Sequence, residues 1–436
     1  MSEPILIRRA AIAGEGRTDI LIEDGRISDV GAGLSRAGAR TIDADGLIAL
    51  PGLVDMHVHL REPGFEASET VLTGSRAAAA GGFSAVFAMP NTNPVADTAG
   101  VVEQELALGE AAGYATVQPI GAVTVGQKGE RLAELGAMAR SKANVRVFSD
   151  DGSCVWDPLL MRRALEYVKS FGGVVAQHAQ DPRLTEGAQM NEGVVSAELG
   201  LAGWPAVAEE SIIARDVLLA EHVGSRLHIC HLSTAGSVDL IRWAKKRGIN
   251  VTAEVTPHHL LLTEELVRGY DARFKVNPPL RRDEDVLAVR EGLADGTIDI
   301  VATDHAPHPA EAKATEWAAA AHGMVGLESA LRVVHKTMVA TGLIGWSDVA
   351  RVMSEAPARI GGLAAHGRPI RAGEPAELTL YDPSAGGEFS AHDLAGRSTN
   401  SPFFGETLPG SVRGTIHRGY ETLSDGALVD LEGVRA

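Results

Sequence analysis

The chain has 436 residues, too many for one ordinary compact domain and a good fit to a barrel of about 250 residues with a smaller companion. Hydrophobic residues make up 45% and charged residues 22%, which excludes a disordered chain, while 57 acidic against 40 basic residues, a formal net charge of -17, argue against nucleic acid and anionic membranes as partners. Cys154 and Cys230 are the only cysteines, which excludes a disulfide framework, and the opening MSEPILIRRAAIAGEGRTD has no signal-like apolar core, so a cytoplasmic setting is expected.

In chain order, residues 4–50 alternate short apolar runs with turn signals (ILIRRAAIAG, DILIEDGRISDVG, GLIALPG) and predict short antiparallel strands. From Gly52 to about residue 364 short β-rich runs alternate with Ala-rich helical stretches such as SETVLTGSRAAAAGG and SIIARDVLLAEHVG. Eight runs stand out: 52–58, 83–89, 116–122, 145–149, 174–177, 226–230, 250–255 and 299–303. Eight alternating units favour a closed parallel barrel over an open sheet. After residue 365 strands and turns return in GEPAELTLYDP, GSVRGTIHRGYETL and GALVDLEG. The fold class is therefore α/β, a (β/α)8 TIM-like barrel over 52–364, with a small β-sandwich domain formed from both chain ends, 1–51 and 365–436.

The strongest chemical signal is His57-Val58-His59 at the end of the first run. Residues two apart on a strand share a face, so both imidazoles can reach one cation at about 2.0–2.1 Å. A lone histidine is more often structural, but Asp151, His178, His231 and Asp304 also fall at or just beyond the ends of predicted barrel strands, where barrel active sites are built. Unpaired polar groups there would cost several kcal/mol, about what buried polar groups cost elsewhere. Imidazoles and carboxylates without thiolates suit Zn. Six ligands exceed the needs of one open catalytic ion, so two zinc ions sharing a bridging carboxylate and a water of lowered pKa are expected.

These residues resemble the amidohydrolase superfamily. DMHVHLREPG (55–64) with AMPNT (88–92) is similar to the long bacterial dihydroorotase family, and SDDG, AQHAQD, CHLSTAGS, TAEVTPHHL, KVNPPLR and ATDHAPH follow in that family's order. The resemblance implies that His57, His59 and Asp304 bind one zinc, that His178 and His231 bind the other, and that Asp151 bridges them where most superfamily members use a carboxylated lysine. Asp150 is the rival for that bridge. It further implies that Arg61, Asn91 and His308 clamp a ring carboxylate, that Asn277 contacts the ring, and that His322 and Gly323 face the substrate. His322 and the preceding EAKATEWAAAA depart from the family pattern, and Gln180 stands where an acidic residue is common.

The implied reaction is the reversible cyclisation of N-carbamoyl-L-aspartate to dihydroorotate in pyrimidine synthesis. Metal-activated hydroxide would attack the ring amide in the hydrolytic direction, and Asp304 would serve as general base and then acid. The partner is a small-molecule substrate, with a homodimer expected and association with aspartate transcarbamoylase implied by relatives. Hydantoinase and allantoinase are the nearest alternative activities, and a non-catalytic structural homologue is the alternative of another class. His228, His258, His259 and Cys230 are assigned to packing or support rather than ligation. The loop from His305 to Gly323 is expected to act as a lid.

Overall fold

The structure, a computed structural model, describes residues 3–431. Five strands precede the barrel: β1 (Ile5–Ile12), β2 (Glu15–Glu23), β3 (Arg26–Gly31), β4 (Arg40–Asp43) and β5 (Ile48–Pro51). The barrel begins with β6 (Leu53–Val58), β7 (Phe83–Ala88), β8 (Thr116–Pro119), β9 (Val147–Phe148) and β10 (Val174–Gln177). A short parallel pair that the sequence did not suggest, β11 (Met190–Asn191) and β12 (Gly203–Trp204), precedes the last barrel strands β13 (Leu227–Ile229), β14 (Val251–Val255) and β15 (Ile300–Val301). Each of the eight predicted runs holds one barrel strand.

All ladders in the barrel are parallel, in the order β6-β7-β8 and β9-β10-β13-β14-β15. Parallel bridges Gly121–Phe148 and Val58–His305 join the two arcs and close the ring. The strands are shorter than the runs that predict them, and the cause is chemical. Near the rim, side-chain carboxylates replace ladder carbonyls as acceptors: Asp55 takes the Thr303 N–H at 3.1 Å, and Asp150 takes the Val123 and Thr124 N–H groups at 2.8 and 3.0 Å.

Val54, Phe87, Ile120, Val147, Val174, Cys230 and Ile300, one from each of seven barrel strands or their ends, form one buried cluster with Ala356, Ala358 and Ile360. Residues from so many strands meet only inside the ring, so this is the barrel interior. The alternate face of the strands, with Val86, Val117, Val175 and Ile229, packs on Ala77, Val102, Leu165, Ile213, Val217, Ile241 and Val289 of the surrounding helices.

After the barrel come β16 (Leu378–Glu388), β17 (Thr407–His417), β18 (Tyr420–Ser424) and β19 (Ala427–Leu428). The last two residues of the predicted GALVDLEG run lie outside the described residues. Both chain ends share one nine-stranded sheet, joined where β16 pairs antiparallel with β5 from Leu378–Pro51 to Tyr381–Ile48. The far edge curls back, with Ile27 N–H on Glu374 O at 2.9 Å, so the sheet wraps a core of Ile5, Ile7, Ile20, Ile22, Leu378, Leu380 and Ile416. This β-sandwich layer docks on the barrel through Gly52 N–H to Glu377 O (2.8 Å) and Thr415 Oγ1 to Ala79 O (2.7 Å).

Between β16 and β17 the chain returns to the barrel rim. Ser398 Oγ donates to Ser68 O at 2.6 Å, Arg397 N–H to Glu69 at 3.1 Å, and the Asn400 side chain reaches the loop after β15. Nothing in the sequence reading anticipated that return. Among the described residues, no helix is long and apolar enough to cross a membrane.

Candidate metal centre and substrate cavity

Six side chains from five strand ends converge at the barrel rim, all buried: His57 at the end of β6 and His59 just after it, Asp151 after β9, His178 after β10, His231 after β13 and Asp304 after β15. Asp151 lies at the centre. Its Oδ2 is 3.3 Å from His57 Nε2 and 3.4 Å from His59 Nε2, while its Oδ1 is 3.3 Å from both His178 Nδ1 and His231 Nε2. Asp304 Oδ1 lies 3.1 Å from His59 Nε2 and 3.4 Å from His57 Nε2. One carboxylate thus has one oxygen turned to each of two histidine pairs.

Asp150, the rival for that position, is engaged elsewhere. Its Oδ1 accepts from two loop N–H groups and its Oδ2 from Thr124 Oγ1, so it holds the loop after β8.

The histidines are aimed by acceptors on their far sides. His57 Nδ1 donates to Glu254 Oε1 (2.6 Å), His59 Nδ1 to Asn91 Oδ1 (2.8 Å) and His178 Nε2 to Gln180 Oε1 (2.7 Å). Each of those bonds fixes the tautomer and turns the other ring nitrogen, with its lone pair, toward the centre. His57 Nε2 is buried there and makes no hydrogen bond, with only the Asp151 and Asp304 carboxylates at 3.3 and 3.4 Å beside it, and His178 Nδ1 and His231 Nε2 approach to 2.8 Å. Converging imidazole nitrogens and a buried one without a hydrogen bond suit a cation between them. The donor set of imidazoles and carboxylates therefore fits a divalent metal.

The electrostatics agree. Burial opposes charge on His57, yet Asp151, Glu254 and Asp304 outweigh it and hold its pKa well above the ordinary value. Burial likewise opposes the charge of Asp151, but His57, His178 and His231 hold that carboxyl well below its usual range. Asp304 is held at about 2, burial being outweighed by His57 and His59. This pocket stabilises positive charge where a metal would sit.

Cys230 and Glu254 also stand near His57. Burial raises the Cys230 thiol far above its ordinary value, and both Glu254 oxygens are occupied, Oε1 by His57 and Oε2 by His228 Nε2 at 3.0 Å. They form a supporting layer. His228, assigned to packing, thus also buttresses the glutamate that aims His57. His259 is tied to Thr256 Oγ1 (2.7 Å) and Pro279 O (3.3 Å), in keeping with a structural place.

Beside this centre lies a cavity of about 240 Å³. All six residues expected to touch substrate, Arg61, Asn91, Asn277, His308, His322 and Gly323, line it together with His59, Asp151, His178 and Asp304. Arg61 Nε donates to Pro307 O at 3.2 Å, and among the described residues no carboxylate lies within ion-pair distance of its guanidinium. Burial lowers its pKa to about 10, which leaves it charged at neutral pH. Asn277 Nδ2 donates to Gln180 Oε1 at 3.2 Å, and its Oδ1 is buried without a donor.

His308 Nε2 donates to His322 O at 2.7 Å, and burial with the Arg61 charge lowers His308 to about 3, so it is neutral. Gly323 has φ +129°, and a Cβ there would stand 2.7 Å from Ala306 Cβ and 3.1 Å from His308 Nε2. Only glycine fits. Arg61, His231 and Asp304 are themselves non-glycine residues with positive φ (63°, 31° and 49°), so three of the rim residues hold a strained backbone. Glu254, Asp55 and Asn400 escaped the sequence reading; alternation within DMHVH could have flagged Asp55, which accepts the His57 N–H at 3.0 Å.

A family profile described as "Dihydro-orotase-like" matches residues 46–237. The chain is 74% identical to a protein named dihydroorotase from Leifsonia xyli subsp. xyli, over 99% of this chain and 98% of that one. It is 68% identical to a dihydroorotase of Streptomyces coelicolor (97% and 99%) and 54% identical to one of Mycobacterium tuberculosis (97% and 99%). Among solved structures, L-hydantoinase from Arthrobacter aurescens superposes with a TM-score of 0.87 at 24% identity, over 99% and 98% of the two chains. Dihydropyrimidinase from Brevibacillus agri NCHU1002 gives 0.83 at 22% identity, over 98% and 96%. Those two likenesses concern the fold, a barrel with a β-sandwich layer, whereas the sequence identities reach further: this chain belongs to the dihydroorotase family.

Proposed function

We propose that this chain is a zinc-dependent dihydroorotase that interconverts N-carbamoyl-L-aspartate and dihydroorotate. The observation that carries the reading is the pairing of two features in one cavity. A central carboxylate, Asp151, faces two histidine pairs, and an arginine, Arg61, has no carboxylate within ion-pair distance among the described residues. The first suits two bridged metal ions and the second suits a substrate carboxylate.

His57, His59 and Asp304 would hold one ion, His178 and His231 the other, and Asp151 would span both. Bound there, the ions would supply water activation at neutral pH and polarisation of the scissile carbonyl. Around them the chain's own groups bind, orient and move protons. Arg61 takes the ring carboxylate, and the buried Asn277 Oδ1 accepts a ring N–H. Asn91 holds His59 through its carbonyl oxygen and keeps its Nδ2 for the substrate.

Asp304, an ionised carboxylate at the rim, receives the proton of the attacking water and returns it to the ring nitrogen as the C–N bond breaks. The carbonyl carbon leaves as a carboxylate and the nitrogen as the terminal ureido NH2. Ring closure is the reverse and takes up one proton, so lower pH favours the cyclic product.

Hydantoin and allantoin lack the ring carboxylate that Arg61 would bind. Turnover of dihydroorotate by the purified chain, with hydantoin and allantoin assayed alongside, tests the reading. Preference for dihydroorotate by orders of magnitude is expected, and comparable or better turnover of either other ring contradicts it. A homodimer and association with an aspartate transcarbamoylase belong to the same proposal, and size analysis of the chain alone and mixed with that enzyme tests them.

A further inference from the structure

The loop after β15 carries His308 at its start and Gly323 at its end, and the side chain of Asn400 joins the two ends. Asn400 Oδ1 accepts the His308 N–H at 3.0 Å, while its Nδ2 donates to Ala306 O at 3.0 Å and Gly323 O at 3.2 Å. Its own carbonyl accepts the Val325 N–H at 3.2 Å. Asn400 is buried, so all of these bonds replace water rather than compete with it.

Lys313, within the loop, donates to the same Gly323 carbonyl. Its Nζ donates to Gly323 O and Ala321 O, each at 2.8 Å, and lies 3.2 Å from Lys275 O. Lys275 Nζ in turn donates to Trp317 O (2.6 Å) and Ala318 O (3.2 Å) of the loop. Gly323 N–H closes the circuit on Lys275 O at 2.9 Å.

We propose that Asn400 and Lys313 are positioning residues for the substrate cavity: both donate to the Gly323 carbonyl and thereby fix the wall formed by Gly323 and His308. The inference rests on the function proposed above for the identity of the substrate, though not for the grip itself. Neither side chain lines the cavity, so each acts through the loop. Asn400 comes from the segment between β16 and β17, which means that the C-terminal part of the chain completes the substrate site of the barrel. A wall held by removable clamps should affect how tightly substrate is held in both ground and transition states, more than how fast bound substrate reacts.

The test compares the full-length protein with Asn400→Ala and Lys313→Met, each loaded with zinc, in two assays. In steady-state hydrolysis of dihydroorotate, KM is expected to rise roughly tenfold or more, the scale of lost buried hydrogen bonds, while kcat moves much less and bound zinc is unchanged. Lys313→Arg, which restores a charged donor, should recover part of the loss. In limited proteolysis without substrate, cleavage within 309–321 should be faster in both variants than in the parent. Unchanged KM with a fall in kcat, or a cleavage rate in that loop equal to the parent's, would overturn the inference. If the parent itself fails on dihydroorotate, the functional reading falls, and the proteolysis comparison still decides the grip.

Discussion

The metal cage and the substrate wall share one cavity but are fixed in opposite ways. The cage residues stand at the ends of barrel strands, and the groups that aim them include buried carboxylates: Glu254 behind His57, with Asp55 joining β6 to the segment after β15. The wall residues stand on loops. There the supports are main-chain carbonyls, an asparagine and two lysines, and among the described residues no carboxylate lies within ion-pair distance of Arg61. The difference follows charge. Acidic support raises the basicity of imidazoles that would hold cations, whereas acids placed beside Arg61 would compete with an anionic substrate.

Substitutions that strike each region separately test this division. The largest effect is expected for Asp151→Ala, which leaves both histidine pairs without their shared carboxylate. Turnover should fall by about 10³-fold or more, with bound zinc below the parent's. Retention of both ions with near-normal turnover would remove Asp151 from the centre of the account. Asp304→Asn comes next, with an expected loss of about 10²- to 10⁴-fold in kcat as its proton transfer is lost. That variant is to be compared with the parent at equal zinc content, and near-equal kcat contradicts the role.

Arg61→Met belongs to the wall. Loss of charge-assisted bonds to a carboxylate should raise KM for dihydroorotate by about 10- to 100-fold and leave zinc affinity alone. Glu254→Gln belongs to the support of the cage and should do the reverse, weakening zinc binding by about 10- to 100-fold, as read by competition with a chelator. If the two variants shift the same parameter, cage and wall are not separate.

The smallest effect lies outside both regions and reads stability alone. His366 is buried between Ser84 Oγ (3.2 Å) and Thr116 Oγ1 (3.1 Å), and burial lowers its pKa to about 4, with the Glu377 charge opposing. Its folded pKa lies below the ordinary 6.5, so the unfolded chain binds the extra proton first. The stability that His366 contributes is full above pH 6.5 and is lost as pH falls toward 4. His366→Gln should flatten the fall in Tm across that window, and an unchanged slope would contradict the assignment.

The barrel was legible because β-rich runs and helical stretches alternate eight times, and the candidate ligands at the ends of those runs stand out by position. Asp150 and Asp151 could not be separated in this way. They are adjacent in a turn, and the choice depends on Val123 and Thr124, which the fold brings against Asp150 from the preceding strand's loop. Glu254 is one more residue of a strand run in the sequence, and only the pairing of β14 with β13 sets its carboxylate between His57 and His228. Asn400 gave no local signal, because its partners at 306–308 and 323–325 lie far back in the chain. The nine-stranded sheet joins strand runs read at both ends, but its curl at Ile27–Glu374 is a tertiary contact that no pattern in the sequence encodes.

The most direct measurement is stepwise zinc titration of the metal-free protein, with bound zinc and dihydroorotate hydrolysis recorded at each addition. Two bridged ions predict that activity climbs and saturates at two zinc per chain. Full activity at one ion, or turnover that persists in the metal-free chain, would contradict it.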